Sequence, residues 1–496
     1  MVIIGALMLV MLLAALDQTI VSTALPRIAT ELHGLNRLSW VATAYLLTSA
    51  ITTPIYGKIS DLFGRKKIFQ SAIVIFLVGS VLCGISQSMG QLIAARALQG
   101  VGAGGLMSLV LAIVGDIIPP RQRGKYMGYF LGVFGVSSVA GPLLGGFLTD
   151  SLSWRWIFFV NLPIGALALS AVASRLHLPV YRYKHKIDYA GAALLSAASV
   201  SLLLATVWGG NTYAWGSRQI LGLLVGGVVL AAAFIVQERR AEEPIIPMGL
   251  FRNGIFTVSI ILSLLSGIAM FAAILYIPEY QQIVRGYSPT KSGLLMLPLI
   301  LGLLAASIIS GRLTTKLGRY RIFPIIGTLV LAFGLWLFTH VTLETSQLTL
   351  ALWMAVIGIG LGTFMQIMTL AVQNAVDRRQ LGTATSSATF FRSLGSSFGG
   401  ALFGSILNSR LTHHLAQLLP QRAAGPVPSI TAIQSGTTGL HNLPPAVATE
   451  VAQAFVRSFH DMFLLTIPIA LLTFVVALFL KDVPLRSSHD APTSLE

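Results

Sequence analysis

Stretches of about twenty apolar residues recur along the whole chain, and nothing else constrains its fold as strongly. Each can cross the hydrocarbon core of a bilayer as an α-helix, which closes its backbone hydrogen bonds within itself. Composition points the same way: 55% of the 496 residues are hydrophobic, only 10% are charged, and the mean hydropathy is +0.80. A soluble chain carries about 25% charged residues. So little charge cannot cover a water-facing surface, so lipid is the solvent for most of this chain. The fold class is therefore all-α and polytopic, with the lipid bilayer as a partner.

Several function classes drop out. The net charge is +16, which in a soluble protein would suggest nucleic acid. Here the cations cluster between apolar runs, so the membrane reading replaces it. The lone cysteine, Cys83, lies inside an apolar run, leaving no disulfide framework and no cysteine-based metal site. The pair His413-His414 reads as a metal-binding pair or, more commonly, as a solvated loop feature. The sequence has no Gly-x4-Gly-Lys-Ser/Thr loop and no nucleophile–base set with recognisable spacing. An enzyme, an ATP-driven pump and a bound cofactor are not expected.

Fourteen spans are expected near 2–26, 38–58, 68–87, 91–117, 124–149, 155–175, 188–208, 218–237, 254–283, 290–313, 322–341, 347–374, 382–408 and 457–480. The run from Val2 to Leu16 resembles a signal peptide, but it lacks a basic leader and an Ala-x-Ala site, and Asp17 follows within it. It reads as the first span. Every even-numbered connection is basic: Arg65-Lys66-Lys67, then Arg121, Arg123 and Lys125, then Arg182, Lys184 and Lys186, then Arg239-Arg240, then Lys316, Arg319 and Arg321, then Arg378-Arg379. Positive loops stay inside, so both termini are expected in the cytoplasm. The connection 409–456 falls outside, and part of it could form an amphipathic helix.

The chain repeats itself. Gly100, Gly102, Gly104 and Met107 recur 258 residues later as Gly358, Gly360, Gly362 and Met365. At the same offset Arg121, Gln122 and Gly124 become Arg379, Gln380 and Gly382, and Gly141 becomes Gly399. At offset 254, Gly57, Gly64 and Arg65 match Gly311, Gly318 and Arg319. Matched segments run in the same sense, so the halves are parallel repeats about an axis along the membrane normal. The expected division is a six-helix bundle at 1–176, two additional helices within 177–250, a second six-helix bundle at 251–480, and a cytoplasmic tail at 481–496.

Four motifs stand in order. Span one carries Leu16-Asp17-Gln18-Thr19-Ile20-Val21 and continues to Ala24-Leu25-Pro26. The loop after span two reads Gly57-Lys58-Ile59-Ser60-Asp61-Leu62-Phe63-Gly64-Arg65-Lys66-Lys67. Span four carries Arg96-Ala97-Leu98-Gln99-Gly100-Val101-Gly102, and span five Gly141-Pro142-Leu143-Leu144-Gly145-Gly146. Trp154-Arg155-Trp156, Asn161 and Pro163 follow. Together these resemble the fourteen-helix drug:proton antiporters of the major facilitator superfamily, over nearly the whole chain. The resemblance implies export from the cytoplasm driven by the proton gradient, from a bacterial inner membrane, and favours a monomer.

Individual residues carry physical readings. Asp17 lies deep in a span, where a carboxylate is costly and functional by default. It either accepts a proton from outside and releases it inside, with cationic substrate competing for its charged form, or it is a structural partner for Arg96 or a backbone group. Arg96 either tunes a neighbour or relays the proton. Glu279, near the outer end of span nine, is a second proton or cation site, or it snorkels to external water. Gly57, Asp61, Gly64, Arg65 and Asp116 read as a conformational latch, with Asp61 facing a helix N-terminus in the other half; the alternative is a loop that only enforces topology. The second copy has Thr315 in place of Asp61. Gly141, Pro142, Gly145 and Gly146 allow tight helix packing and, by the resemblance, mark antiporters. Arg392 is a midspan cation with an anion-binding or structural role. Tyr45, Phe364, Met365, Phe390 and Phe391 either line a substrate cavity, where ring faces favour a cation, or are ordinary packing.

Three functions compete: a proton-coupled exporter of small hydrophobic, often cationic, drugs; the same machine exporting a native lipid, siderophore, antibiotic or peptide; and a transporter-like sensor or scaffold that moves nothing.

Overall fold

A computed structural model describes residues 2–33, 37–176, 186–210, 212–418 and 445–485. Its sixteen α-helices among these residues are α1 (Val2–Glu31), α2 (Leu38–Phe63), α3 (Arg65–Gly84), α4 (Met89–Ile117), α5 (Pro120–Ser151), α6 (Trp156–Phe159), α7 (Asn161–Arg175), α8 (Tyr189–Trp208), α9 (Arg218–Glu238), α10 (Gly254–Ile283), α11 (Pro289–Leu295), α12 (Leu297–Leu317), α13 (Ile322–Phe338), α14 (Gln347–Asn374), α15 (Leu381–Leu418) and α16 (Pro445–Leu478). Polar caps fix many starts. Ser88, Asp188, Ser217, Asn253, Ser288 and Ser346 each accept a backbone N–H from the first turn of the helix that follows.

Eleven helices among the described residues are long and apolar enough to cross a membrane. Of the other expected spans, α13 is short, while α2 and α15 are rich in Ser, Thr and Gly. Those two helices pack on each other, so protein rather than lipid solvates their polar faces. Expected boundaries shift in three places. Spans 155–175 and 290–313 are each broken, into α6–α7 and α11–α12. The expected loop 409–456 is helical at both ends, because α15 continues to Leu418 and α16 starts at Pro445. Residues 177–185, 419–444 and 486–496, which include Arg182, Lys184 and most of the tail, lie outside the described residues.

Two separate cores form. One is drawn from residues 6–176, including Leu13, Phe69, Phe76, Leu106 and Phe130, with Ile20, Trp154 and Phe158 as a neighbouring cluster. The other is drawn from residues 255–485, including Leu262, Leu335, Phe364 and Phe459. A smaller cluster of Ala50, Leu195, Leu203, Phe234, Phe390 and Leu394 joins the pair α8–α9 to α2 and α15.

The repeated glycines do the same job twice. A Cβ on Gly100 or Gly104 would strike the backbone carbonyls of Tyr45 or Ser49 on α2, and one on Gly102 the α3 backbone at Phe76. A Cβ on Gly358 or Gly362 would strike Leu299 or Leu303 on α12, and one on Gly360 the α13 backbone at Leu331. Gly64 and Gly318 both take positive φ, 94° and 68°, between equivalent helices.

Candidate functional site

Asp17 is fully buried, and three side chains converge on its carboxylate. Arg96 donates from Nη1 to Oδ2 at 2.7 Å. Gln99 donates from Nε2 to Oδ1 at 2.8 Å, and Asn161 from Nδ2 to Oδ1 at 2.9 Å. Gln99 and Asn161 also donate to Ser80 Oγ, at 3.2 and 2.9 Å, and Ser80 in turn donates to the Phe158 carbonyl. Arg96 reaches Gln99 Oε1 at 2.6 Å and the Val41 carbonyl at 3.2 Å, and its guanidinium lies 4.1 Å from the centre of the Tyr45 ring. Four helices, α1, α3, α4 and α7, thus build one buried, charge-balanced network. A lone ion at this depth would cost several kcal/mol, and the pair with its added hydrogen bonds offsets that cost.

Local packing explains the convergence. A Cβ on Gly79 would sit 2.5 Å from Gln99 Cα, so this glycine lets α3 bring Ser80 to α4. On the other side of α1, Cβ atoms on Gly141 and Gly145 would meet Thr19 Oγ1 at 2.0 Å and Thr23 Oγ1 at 2.3 Å. Thr19 donates to the Ser137 carbonyl at 2.9 Å. The Gly141-Pro142-Leu-Leu-Gly145 stretch of α5 therefore clamps the turn that follows Asp17. Gly146 has nothing within 4 Å of its Cβ direction and takes no part in this contact.

A second polar cluster lies at the end of the bundle that carries the basic loops. Asp61 accepts three hydrogen bonds from the start of α15: Gly382 N at 3.0 Å, Thr383 N at 2.7 Å and Thr383 Oγ1 at 2.8 Å. A carboxylate facing the unsatisfied N–H groups and positive dipole of a helix start is favoured. Arg65 pairs with Asp61 at 2.8 Å and with Asp116. Arg378 approaches Asp116 at 3.8 Å and donates to its carbonyl at 3.3 Å. A Cβ on Gly57 would lie 1.9 Å from Ser386 Oγ and 2.7 Å from the Gly382 carbonyl. All five expected latch residues meet here, Gly64 by turning the chain.

Sequence reasoning missed part of this seam. Arg123 looked like a loop cation, yet it is buried and donates to the Gly115 and Ile118 carbonyls and, at 3.2 Å, to Gln373 Oε1. Gln373 returns a bond to the Leu111 carbonyl at 3.0 Å. In the second copy Thr315 donates to Gly311 on its own helix, and Arg319 faces Asp482 at 3.8 Å.

The remaining candidates do not share one wall. Tyr45 packs under Arg96, and Phe364 is fully buried in the second core with Met365 at its edge. Phe390 and Phe391 form an edge-on pair with centroids 5.5 Å apart in the cluster beside α8. Glu279 and Arg392 are half-buried. A cavity of about 380 Å³ is lined instead by Ser405, Ile406, Ser409, Arg410, His413 and Leu465. His414 Nε2 meets Asp461 at 3.0 Å while His413 contacts Gln417. Among the described residues no group of three or more potential ligands is placed to hold a metal.

A family model described as Major Facilitator Superfamily matches residues 7–400. The chain is 41% identical over 489 residues to the "Uncharacterized MFS-type transporter Rv1877" of Mycobacterium tuberculosis, covering 99% of this chain and 70% of that one. It is 37% identical over 492 residues to "Multidrug resistance protein 3" of Bacillus subtilis, covering 98% and 96%. Its fold is similar to the crystal structure of a double-tryptophan mutant of XylE, with TM-score 0.65 at 15% identity over 98% of this chain and 96% of the other.

Proposed function

This chain belongs to the major facilitator superfamily, and we propose that it is a proton-coupled exporter of hydrophobic, cationic drugs working by alternating access. As a family member it is a multi-pass membrane transporter and not an enzyme. The observation that carries the finer reading is the Asp17–Arg96 network, a charge-balanced pair buried where charge is most costly. It supports a role for Asp17 as the proton carrier.

The proposed cycle follows from that pair. A proton arriving from outside neutralises the Asp17 carboxylate and leaves Arg96 without its counterion. An uncompensated buried cation is unstable, so the packing around α1 and α4 rearranges. That rearrangement releases the contacts of Asp61 with the start of α15 and of Arg378 with Asp116 across the halves and turns the binding site to the cytoplasm. The proton leaves, a hydrophobic cation enters, and the pair and seal re-form as the site turns outward. Glu279 supplies a further acidic group near the outer end of α10.

The organisation that supports this cycle has fourteen spans, the short α13 and the polar α2 and α15 being added to the eleven that are both long and apolar. The bundles 1–176 and 251–480 rock about each other, 177–250 supplies two extra helices, and both termini are cytoplasmic. The closed seam at the basic-loop end corresponds to an outward-facing state.

The test is reconstitution in liposomes under an imposed pH gradient, with uptake of ethidium by the intact chain and by Asp17→Asn. Accumulation by the intact chain alone supports antiport through Asp17. Equal uptake by both makes Asp17 structural and moves coupling to Glu279 or Arg96. No uptake by either sinks the cationic-drug reading in favour of a native lipid or metabolite.

A further inference from the structure

Among the described residues, four arginines that lie on helices are buried or half-buried, and three of them are compensated. Arg65 has Asp61 and Asp116, Arg96 has Asp17, and Arg123 has two carbonyls and Gln373. Arg392 is different. Among the described residues its side chain makes no hydrogen bond or ion pair, and its carbonyl accepts from Ser396. It lies eleven residues into α15, about 16 Å from the helix start and so near the middle of a hydrocarbon core about 30 Å thick. Its backbone carbonyl would touch a Cβ on Gly267 of α10, which sets the two residues at one level. Glu279 is twelve residues further along α10, roughly 18 Å away. The Asp61 carboxylate lies a comparable distance below, at the start of α15.

The azimuth is also fixed. Gly395 and Gly399 face α10, Thr385 faces Gln373 of α14, and Phe390 and Leu394 face α2 and α8. At 3.6 residues per turn Arg392 falls between the α10-facing and α14-facing positions. By the internal repeat, α10 and α14 are the counterparts of α1 and α4, the helices that carry Asp17 and Arg96. The repeat places Phe134 of α5 opposite Arg392, so packing common to both halves does not require a charge. A structural arginine at this depth would have built-in acceptors for its N–H groups, as the other three do.

We propose that Arg392 receives the acidic group of the transported molecule, a carboxylate, sulfonate or phosphate on an amphiphile, so that the substrate range includes organic anions and zwitterions. This rests on the exporter reading. A guanidinium offers a fixed fork of donors that matches such a group in two bonds and keeps its charge at any working pH.

The test uses the full chain, taurocholate as the amphiphilic anion and ethidium as the cation. Taurocholate is followed by pH-gradient-driven uptake into liposomes and by equilibrium binding to detergent-solubilised protein. Arg392→Gln is expected to lower taurocholate uptake and binding by at least about tenfold while ethidium uptake stays within about twofold, and Arg392→Lys to restore part of the loss. Taurocholate handling that is indifferent to Arg392, or parallel loss of both probes, overturns the proposal. Ethidium uptake by a wild-type chain that neither binds nor moves taurocholate overturns it and leaves the exporter standing. Arg392-dependent binding without uptake of either probe overturns the exporter reading and keeps the anion site. Competition by phosphatidylglycerol but not phosphatidylcholine assigns the acid to a lipid headgroup, and its absence assigns it to a free amphiphile.

Discussion

Asp17→Asn should destabilise the protein through the arginine it leaves behind. The substitution keeps an oxygen at Oδ1 for Gln99 and Asn161, so those two bonds survive. It turns an amide N–H toward Arg96 Nη1, which now lies 2.7 Å from the carboxylate and is only 2% exposed. Removing one partner of a buried pair costs about 3–5 kcal/mol. The second half suggests the compensation: Met354 and Ile357 stand where the first half has Arg96 and Gln99, and both are buried in its core. The double variant Asp17→Asn, Arg96→Met should therefore recover most of the loss, to within about 1 kcal/mol of wild type, the cost of a volume-conserving core change. Thermal unfolding of purified protein in mild detergent, read by size exclusion, checks the order: wild type, then the double variant, then the single. Neither variant should transport against a gradient. If Asp17→Asn is as stable as wild type, the Asp17–Arg96 pair does not carry the stability assigned to it and the reasoning fails.

Four further outcomes follow from the geometry. Gly57→Ala would drive a methyl into Ser386 and the Gly382 carbonyl; transport should fall by about tenfold, and because the carbonyl is backbone, Ser386→Gly should not restore it. Asp61→Asn should loosen the seam, so that maleimide labels an introduced Ser386→Cys about tenfold faster in a Cys83→Ser background, and unchanged labelling would count against the latch. Gly141→Ala and Gly145→Ala should disrupt packing against α1 while Gly146→Ala stays within about 0.5 kcal/mol, and equal effects at all three would contradict the clamp. Glu31, ten residues past the apolar part of α1, accepts from Arg155 at 2.5 Å and Trp154 at 2.9 Å, and the Arg155 bond holds its carboxyl below the ordinary value of 4.5. A depressed carboxyl contributes stability that is present above 4.5 and lost as pH falls through the lower folded value. The unfolding difference between wild type and Glu31→Gln should thus be present at neutral pH and vanish on acidification, and a difference unchanged by acid would refute the clasp.

The cluster around Asp61 was legible because four of its five expected members, Gly57, Asp61, Gly64 and Arg65, fall within nine positions and the charge pattern of the loop marks them, while Asp116 comes from the far end of α4. The spans were legible because lipid leaves a long apolar signature, and their ends were not where a helix continues into water, as α15 does to Leu418. Asp17 and Arg96 stood out as intramembrane charges. Their pairing was one of the readings open in sequence, and choosing it needed the rotation of two helices about their axes, which hydropathy does not encode. Ser80 carried no signal among many serines, and Arg123 carried the wrong one, since a basic residue between spans reads as topology whether it is solvated or buried. Gln99 and Asn161 were visible in motifs, while their common target became visible only once α1, α3, α4 and α7 were assembled.

The two copies of the loop between equivalent helices keep Gly57, Gly64 and Arg65 as Gly311, Gly318 and Arg319, while Asp61 becomes Thr315. Because the halves are parallel repeats, both copies face the same end of the bundle, so they act on one seal rather than on opposing ones. In that seal Asp61 reaches across to the start of α15, while Thr315 donates to Gly311 of its own helix. A net contribution of about 1.4 kcal/mol from the Asp61 contacts is a tenfold bias toward the form with this end shut. The contact is thus lopsided: at this pair of loops the first half carries the charge, and the second half, through the start of α15, receives it.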